Sequence, residues 1–136
     1  MSNKYNKYPL PSTVDFFISA TSNHSKVASV LEMSQYFYEV KRIGLPNLKI
    51  ALSNIYVLGE ADVHEMLAEY DGVDCIVVGG NWNTYTGAAK QLAKDCGVGL
   101  FQFREFFGAI NNEGNKFLNY VTPEPGKRKK EGKGNS

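Results

Sequence analysis

The chain has 136 residues, 43% of them apolar and 21% charged. That is the length of one domain, and the balance excludes a collagen-like chain, a coiled coil and a fully disordered one. The net charge of +1 hides a split: residues 123–136 carry five basic and two acidic side chains, whereas residues 12–122 carry eight basic and twelve acidic ones, so the body alone is no electrostatic funnel for phosphates.

Residues 1–12 are polar, end in Pro9-Leu10-Pro11 and are expected to form a flexible arm. Val14-Asp15-Phe16-Phe17-Ile18-Ser19 is rich in branched and aromatic residues, which predicts a short strand, followed by a polar loop over 21–25. Val27, Val30, Leu31, Phe37 and Val40 follow a 3–4 spacing, which predicts one amphipathic helix over 25–43, stopped by Gly44 and Pro46. Tyr36-Phe37-Tyr38-Glu39-Val40-Lys41-Arg42 also has β propensity, so helix and strand both fit residues 34–43. A β-rich segment covers 48–58 and a helix 60–70, with Val63, Met66 and Leu67 on one face. Val73-Asp74-Cys75-Ile76-Val77-Val78 is nearly all apolar, as expected of a central strand covered on both faces. A loop over 79–83, a helix over 86–96, a strand over 98–103 and a short helix over 105–110 complete the body. Residues 123–136 read as a basic, disordered tail. Alternating strands and helices predict an α/β domain over 13–122, in three layers, with a four- to five-stranded, mostly parallel sheet.

No apolar run approaches the ~20 residues of a membrane span, and Met1 to Tyr8 lack the apolar centre of a secretory signal. Cys75 and Cys96 read as reduced thiols, which points to a cytoplasmic protein. Two histidines and two separated cysteines argue against structural zinc. The P-loop, GxGxxG, GxSxG and HExxH patterns do not occur. His24 in the polar loop is either a general base or a solvated side chain, and His64, between Asp62 and Glu65 on a helix, reads as surface charge. Ligands of open α/β sheets bind beyond the carboxyl ends of the strands. That edge would gather residues 19–25, 53–54, 79–85 and 102–105. Gly79 and Gly80 there either admit a ligand close to the backbone or make a turn, and Trp82 either stacks on a ring or caps the core.

The segment Ser19-Ala20-Thr21-Ser22-Asn23-His24-Ser25-Lys26-Val27-Ala28 resembles the flavin-phosphate loop of flavodoxins, with Ser19, Thr21, Asn23 and Ala28 matching and Ser22 and His24 departing. That resemblance implies FMN or a nucleotide phosphate held by Ser19, Thr21, Ser22 and Asn23, with Gly79, Gly80, Trp82 and Tyr85 beside the ring. A second resemblance covers about 35 residues. Asp74 to Val78, then Tyr85-Thr86, Ala89 and Ala93, then Val98, Leu100 and Glu105-Phe106 resemble the C-terminal half of Mrr-type restriction endonucleases, of the PD-(D/E)XK superfamily. The segment 62–67 resembles the helix that precedes that half.

The nuclease resemblance implies an Asp followed by (Asp/Glu)-x-Lys, two carboxylates on Mg²⁺ and a Lys beside the attacking water. Asp15 and then Glu39-Val40-Lys41 offer that set, with Asp15 and Glu39 as metal ligands. On a helix over 25–43 the same Glu39 and Lys41 are ordinary solvent-facing charges. An alternative alignment puts the motif strand at 14–21, where Ser19-Ala20-Thr21 replaces Glu-x-Lys and the site is dead. The expected function is therefore a restriction-endonuclease-like domain associated with nucleic acid through its basic tail, active or degenerate. The alternative is a small-ligand domain of flavodoxin-like or Rossmann-like type. The sequence names no substrate and no oligomeric state.

Overall fold

The computed structural model describes residues 8–80 and 82–123, and within them the chain opens on a helix where a strand was expected. Helix α1 spans Pro11–Ser22. Pro11 sits in its first turn, where a missing N–H costs no hydrogen bond. Val14, Phe17 and Thr21, spaced three and four apart, face inward; Phe17 and Thr21 are buried. The other apolar residues of the run, Phe16 and Ile18, stay on the open side, Phe16 50% exposed. Of the expected arm, Tyr8 stacks on Tyr36 with ring centroids 5.3 Å apart, and Pro9 is buried. Residues 1–7 and all of the basic tail except Pro123 lie outside the described residues.

The expected helix over 25–43 is a β-hairpin. Strand β1 spans Val27–Ser34 and β2 spans Phe37–Arg42, joined through Tyr36 at φ 64°. In β2 the alternation is regular: Tyr38 and Val40 pack with Phe17 of α1, and Phe37 packs on the other face. In β1 the register shifts twice, between Val27 and Ser29 and between Glu32 and Ser34. Each bulge moves the alternation by one residue. The first shift sets Val27 and Val30 three apart on the core face, whereas Leu31 is 56% exposed and Phe37 and Val40 face opposite cores, so the helix-like spacing mixes residues of two faces.

Strand β3 (Leu48–Ser53) pairs antiparallel with β2 and parallel with β5 (Cys75–Val78), which pairs parallel with β7 (Gly99–Gln102). The five-stranded sheet has the order β1-β2-β3-β5-β7. The expectation of a mostly parallel sheet is corrected: two of its four pairings are antiparallel and two parallel. Connections as short as 35–36 and 43–47 can only reverse the chain, whereas a parallel neighbour needs a long crossover. Those crossovers carry α2 (Glu60–Glu69) and α3 (Gly87–Asp95). The β-rich segment expected over 48–58 is interrupted, and its end forms β4 (Val57–Leu58), which pairs with β6 (Thr84–Tyr85) in a separate ribbon. Helices α4 (Phe103–Ala109) and α5 (Gly114–Leu118) close the chain's described part.

Two cores lie on opposite faces of the sheet. Ile50, Leu52, Cys75, Val77 and Phe101 pack with Phe17 of α1, Phe106 of α4 and Phe117 of α5. Ala51, Ile76, Val78 and Leu100 pack with Val63 and Met66 of α2 and Ala89 and Ala93 of α3. Thr86 caps α3 by accepting the Ala89 N–H at 3.0 Å. Among the described residues, no helix is long and apolar enough to cross a membrane.

Candidate functional site at the ends of the parallel strands

Strands β3, β5 and β7 end side by side at Ser53, Val78 and Gln102. The loop after β5 is tied to both neighbours. The Gly79 N–H donates to the Ser53 carbonyl at 2.8 Å, Asn83 Nδ2 donates to the Asn54 carbonyl at 2.9 Å, and Gln102 Nε2 donates to the Asn83 carbonyl at 3.0 Å. Gly79 and Gly80 serve different needs. At Gly79 a Cβ would stand 2.6 Å from Thr13 Cγ2 and 3.2 Å from the Phe103 ring, so only glycine lets α1 and α4 approach the strand end. Gly80 has φ +104°, a backbone that other residues rarely adopt.

Helix α4 begins directly after β7. Its Glu105 carboxylate accepts the Gln102 N–H at 2.9 Å and the Tyr85 hydroxyl at 2.8 Å. Burial, followed by the hydrogen bond and the charge of Glu105, raises the Tyr85 phenol above its ordinary value. Lys90 donates to the Leu100 carbonyl at 2.6 Å and lies 4.0 Å over the Phe101 ring. Burial lowers its pKa, and Glu105 partly opposes the shift. Tyr85 is thus held through its hydroxyl by Glu105, and Lys90 Nζ lies 5.3 Å from its ring centroid.

What this edge leaves open is a groove of about 500 Å³ between α1 and α4, lined by Phe16, Gly80, Gln102, Phe103, Arg104 and Phe107. A hollow of about 240 Å³ lined by Ser12, Thr13, Phe16, Gly80 and Phe103 adjoins it. Phe103 and Phe107, one helical turn apart, lie parallel with centroids 5.9 Å apart and 7° between planes. Phe16 stands edge-on to Phe103 at 5.0 Å. Trp82, close by in the chain, is 79% exposed.

Of the residues expected at this edge, Ser53, Asn54, Gly79, Asn83, Tyr85, Gln102 and Glu105 do meet through these bonds. Residues 19–25 do not form a strand-to-helix loop there. Ser19, Thr21 and Ser22 lie in the last turns of α1, and Asn23 caps its C-terminal end, its Nδ2 donating to the Ser19 carbonyl at 2.9 Å. That is the negative end of the helix dipole, the wrong end for a phosphate. His24 bridges: its Nδ1 accepts the Lys26 N–H and its Nε2 lies 3.0 Å from the Phe107 carbonyl, which fixes the tautomer with the proton on Nε2. His64 is exposed on α2.

The Asp15–Glu39–Lys41 set does not converge. Asp15 lies exposed on α1, beside a hollow that also includes Glu32, Gln35, Tyr36 and Tyr38. Tyr38 and Val40 point to α1, so Glu39 and Lys41, alternating with them, point to the other face of the sheet. There Glu39 accepts Asn47 Nδ2 at 3.2 Å. Two carboxylates separated by a sheet do not share one Mg²⁺, whose ligands stand roughly 2.0–2.1 Å from the ion. Among the described residues, no group of three or more His, Cys, Asp or Glu side chains could hold a metal.

Phe103 and Arg104 fall within the expected 102–105 edge, whereas Phe16 and Phe107 were not expected as groove residues. The readable signal was Phe103 and Phe107 at i and i+4, a pair that meets only on a helix. Sequence reasoning also overlooked Arg42, which is buried and donates to the carbonyls of Pro46, Ile110 and Asn112, tying β2 to the end of α4. Compared with protein families, with curated proteins and with solved structures, the chain has no match in any of the three.

Proposed function

We propose that this chain is a restriction-endonuclease-like domain, three-layered, that associates with nucleic acid and does not cut it. What supports the family reading is the order of elements under the resembling residues. Asp74 to Val78 lead into and form β5, Tyr85 and Thr86 open α3, Ala89 and Ala93 are buried on it, Leu100 lies in β7, and Glu105-Phe106 lie in α4. The observation that carries the non-cutting half is the placement of Asp15 and Glu39 on opposite sides of β2. Mg²⁺ does not fit this pair. The flavodoxin-like alternative has lost its phosphate loop to the C-terminal end of α1.

With the body acidic, affinity for phosphates rests on the basic residues Lys127, Arg128, Lys129, Lys130 and Lys133 of the tail. The test is a titration of labelled single- and double-stranded DNA and RNA with the full chain in Mg²⁺. Binding that weakens with salt, with strands left intact, is expected. Removal of residues 126–136 should weaken binding and flatten the salt dependence. Mg²⁺-dependent cleavage lost in Glu39→Gln would restore the active-site reading. Absence of binding to every strand would end the nucleic-acid reading.

A further inference from the structure

We infer that the groove between α1 and α4 is a base-stacking site for a nucleobase that carries a phosphate. The inference rests on the reading of this domain as one that associates with nucleic acid, and names where and how it does so. Three aromatic side chains meet at the groove. Phe103 and Phe107 form a parallel pair, and Phe16 stands at 75° to Phe103 and 70° to Phe107, so the rings make two walls at nearly a right angle. Core packing does not account for Phe16, which remains 50% exposed on a helix whose buried face is Phe17 and Thr21. Planar rings stack on such surfaces whatever their sequence, because every base has a π-face.

The rim supplies what a base and its phosphate require. Gln102 spends its amide NH₂ on the Asn83 carbonyl, which leaves its side-chain oxygen as an acceptor for a base amino group. Arg104 is exposed at the rim, and among the described residues no hydrogen bond or ion pair engages its guanidinium. A free guanidinium beside a ring platform matches a phosphate attached to a stacked base. That charge favours a nucleotide over an apolar peptide as the occupant. Gly80 lines both hollows where they adjoin. An unpaired nucleotide of a strand and a free nucleotide share this chemistry.

The experiment compares, for the full chain, a short labelled oligothymidylate with a strand of equal length and charge whose sugars are abasic. Trp82, the chain's single tryptophan, is used to follow AMP by fluorescence. The base-bearing strand should bind roughly 5- to 150-fold more tightly, the worth of one stacked base. Phe16→Leu keeps apolar bulk on an exposed face and should erase that preference with the urea midpoint unchanged. Arg104→Gln should weaken both strands and lower the salt slope by about 0.7, the contribution of one phosphate on a single strand. Displacement of the strand by AMP supports a free nucleotide as the source, and base preference without AMP displacement supports the strand. Equal affinity for the two strands, or a preference that survives Phe16→Leu, overturns the site. Displacement by a proline-rich peptide with no base preference overturns it in favour of a peptide groove. AMP binding without strand binding would leave this groove standing and end only the nucleic-acid reading.

Discussion

The sheet has two unlike halves that meet at β3. In the parallel half, β5 is buried along its whole length, Cys75 and Val77 against one core and Ile76 and Val78 against the other. In the antiparallel half, β1 is an edge strand with Leu31 56% exposed and Met33 44% exposed, interrupted by two bulges. Both functional readings divide along the same line. The aromatic groove sits at the carboxyl ends of the parallel strands, whereas Glu39 and Lys41 sit on the antiparallel half with the sheet between them and Asp15. Crossovers through α2 and α3 cover the parallel strands and leave their ends as the place where loops and glycines converge. The hairpin has no crossover helix; α1 covers one face of it, and the outer edge of β1 is broken by register shifts, a common protection against unwanted pairing.

Substitutions that sample the two halves should give unequal losses. The largest is expected from Ile76→Ala: the side chain is fully buried between two parallel neighbours, and the cost should be about 2–5 kcal/mol in a urea titration. A midpoint no lower than that of Leu31→Ala would erase the distinction between the halves. Gly79→Ala comes next. Its Cβ would press on Thr13 Cγ2 at 2.6 Å, so α1 and α4 must part, at about 1–3 kcal/mol. Since the same movement opens the groove, nucleotide affinity should fall with stability.

Tyr85→Phe tests the polar tie behind the groove and should cost about 1 kcal/mol near neutral pH, where Glu105 loses a donor. The phenol's pKa is raised in the folded chain, so above its ordinary value of 10.0 the unfolded state releases a proton that the folded state keeps. Its contribution to wild-type stability is therefore complete below pH 10 and declines above it. Lys90, lowered by burial, works in the opposite direction: the unfolded chain binds more protons below the ordinary 10.5, so that term rises with pH. Subtracting the Tyr85→Phe curve from the wild-type curve isolates the tyrosine, and the difference should shrink from pH 10 upward. A constant difference would show that the hydroxyl titrates alike in both states. The smallest effects belong to the antiparallel face, where Glu39→Gln and Lys41→Ala should each move stability by less than about 0.5 kcal/mol. A loss of several kcal/mol at either would mark an unseen partner on that face.

Several elements were legible from residues alone. The run 73–78 read as a central strand because burial on both faces removes polar residues, and β5 is that strand. The helices over 60–70 and 86–96 carried their periodicity in Val63 and Met66 and in Ala89 and Ala93, residues that do pack inward. The meeting of 53–54, 79–85 and 102–105 followed from strand order and polarity. The first 43 residues were not legible in the same way. Val14 to Ser19 has strand composition, yet helix α1 needs only one face buried and leaves Phe16 outside. Residues 25–43 have helical spacing, yet in the hairpin those residues divide between the two faces of the sheet. Local pattern counts apolar positions and cannot see which of them a neighbouring element will cover.

By itself, the sequence determined an α/β chain with a buried central strand, two crossover helices and a polar, glycine-bearing edge beyond them. Those features depend on short-range periodicity and on composition, which the chain carries wherever it is placed. Only the tertiary structure decided that the sheet is half antiparallel, that Asp15 and Glu39 face away from each other, and that Phe16, Phe103 and Phe107 meet beside Arg104. Each of these is a relation between residues far apart in the chain. Such relations are set by which faces pack together, because burying apolar area rewards one docking of α1 and α4 on the sheet over the others.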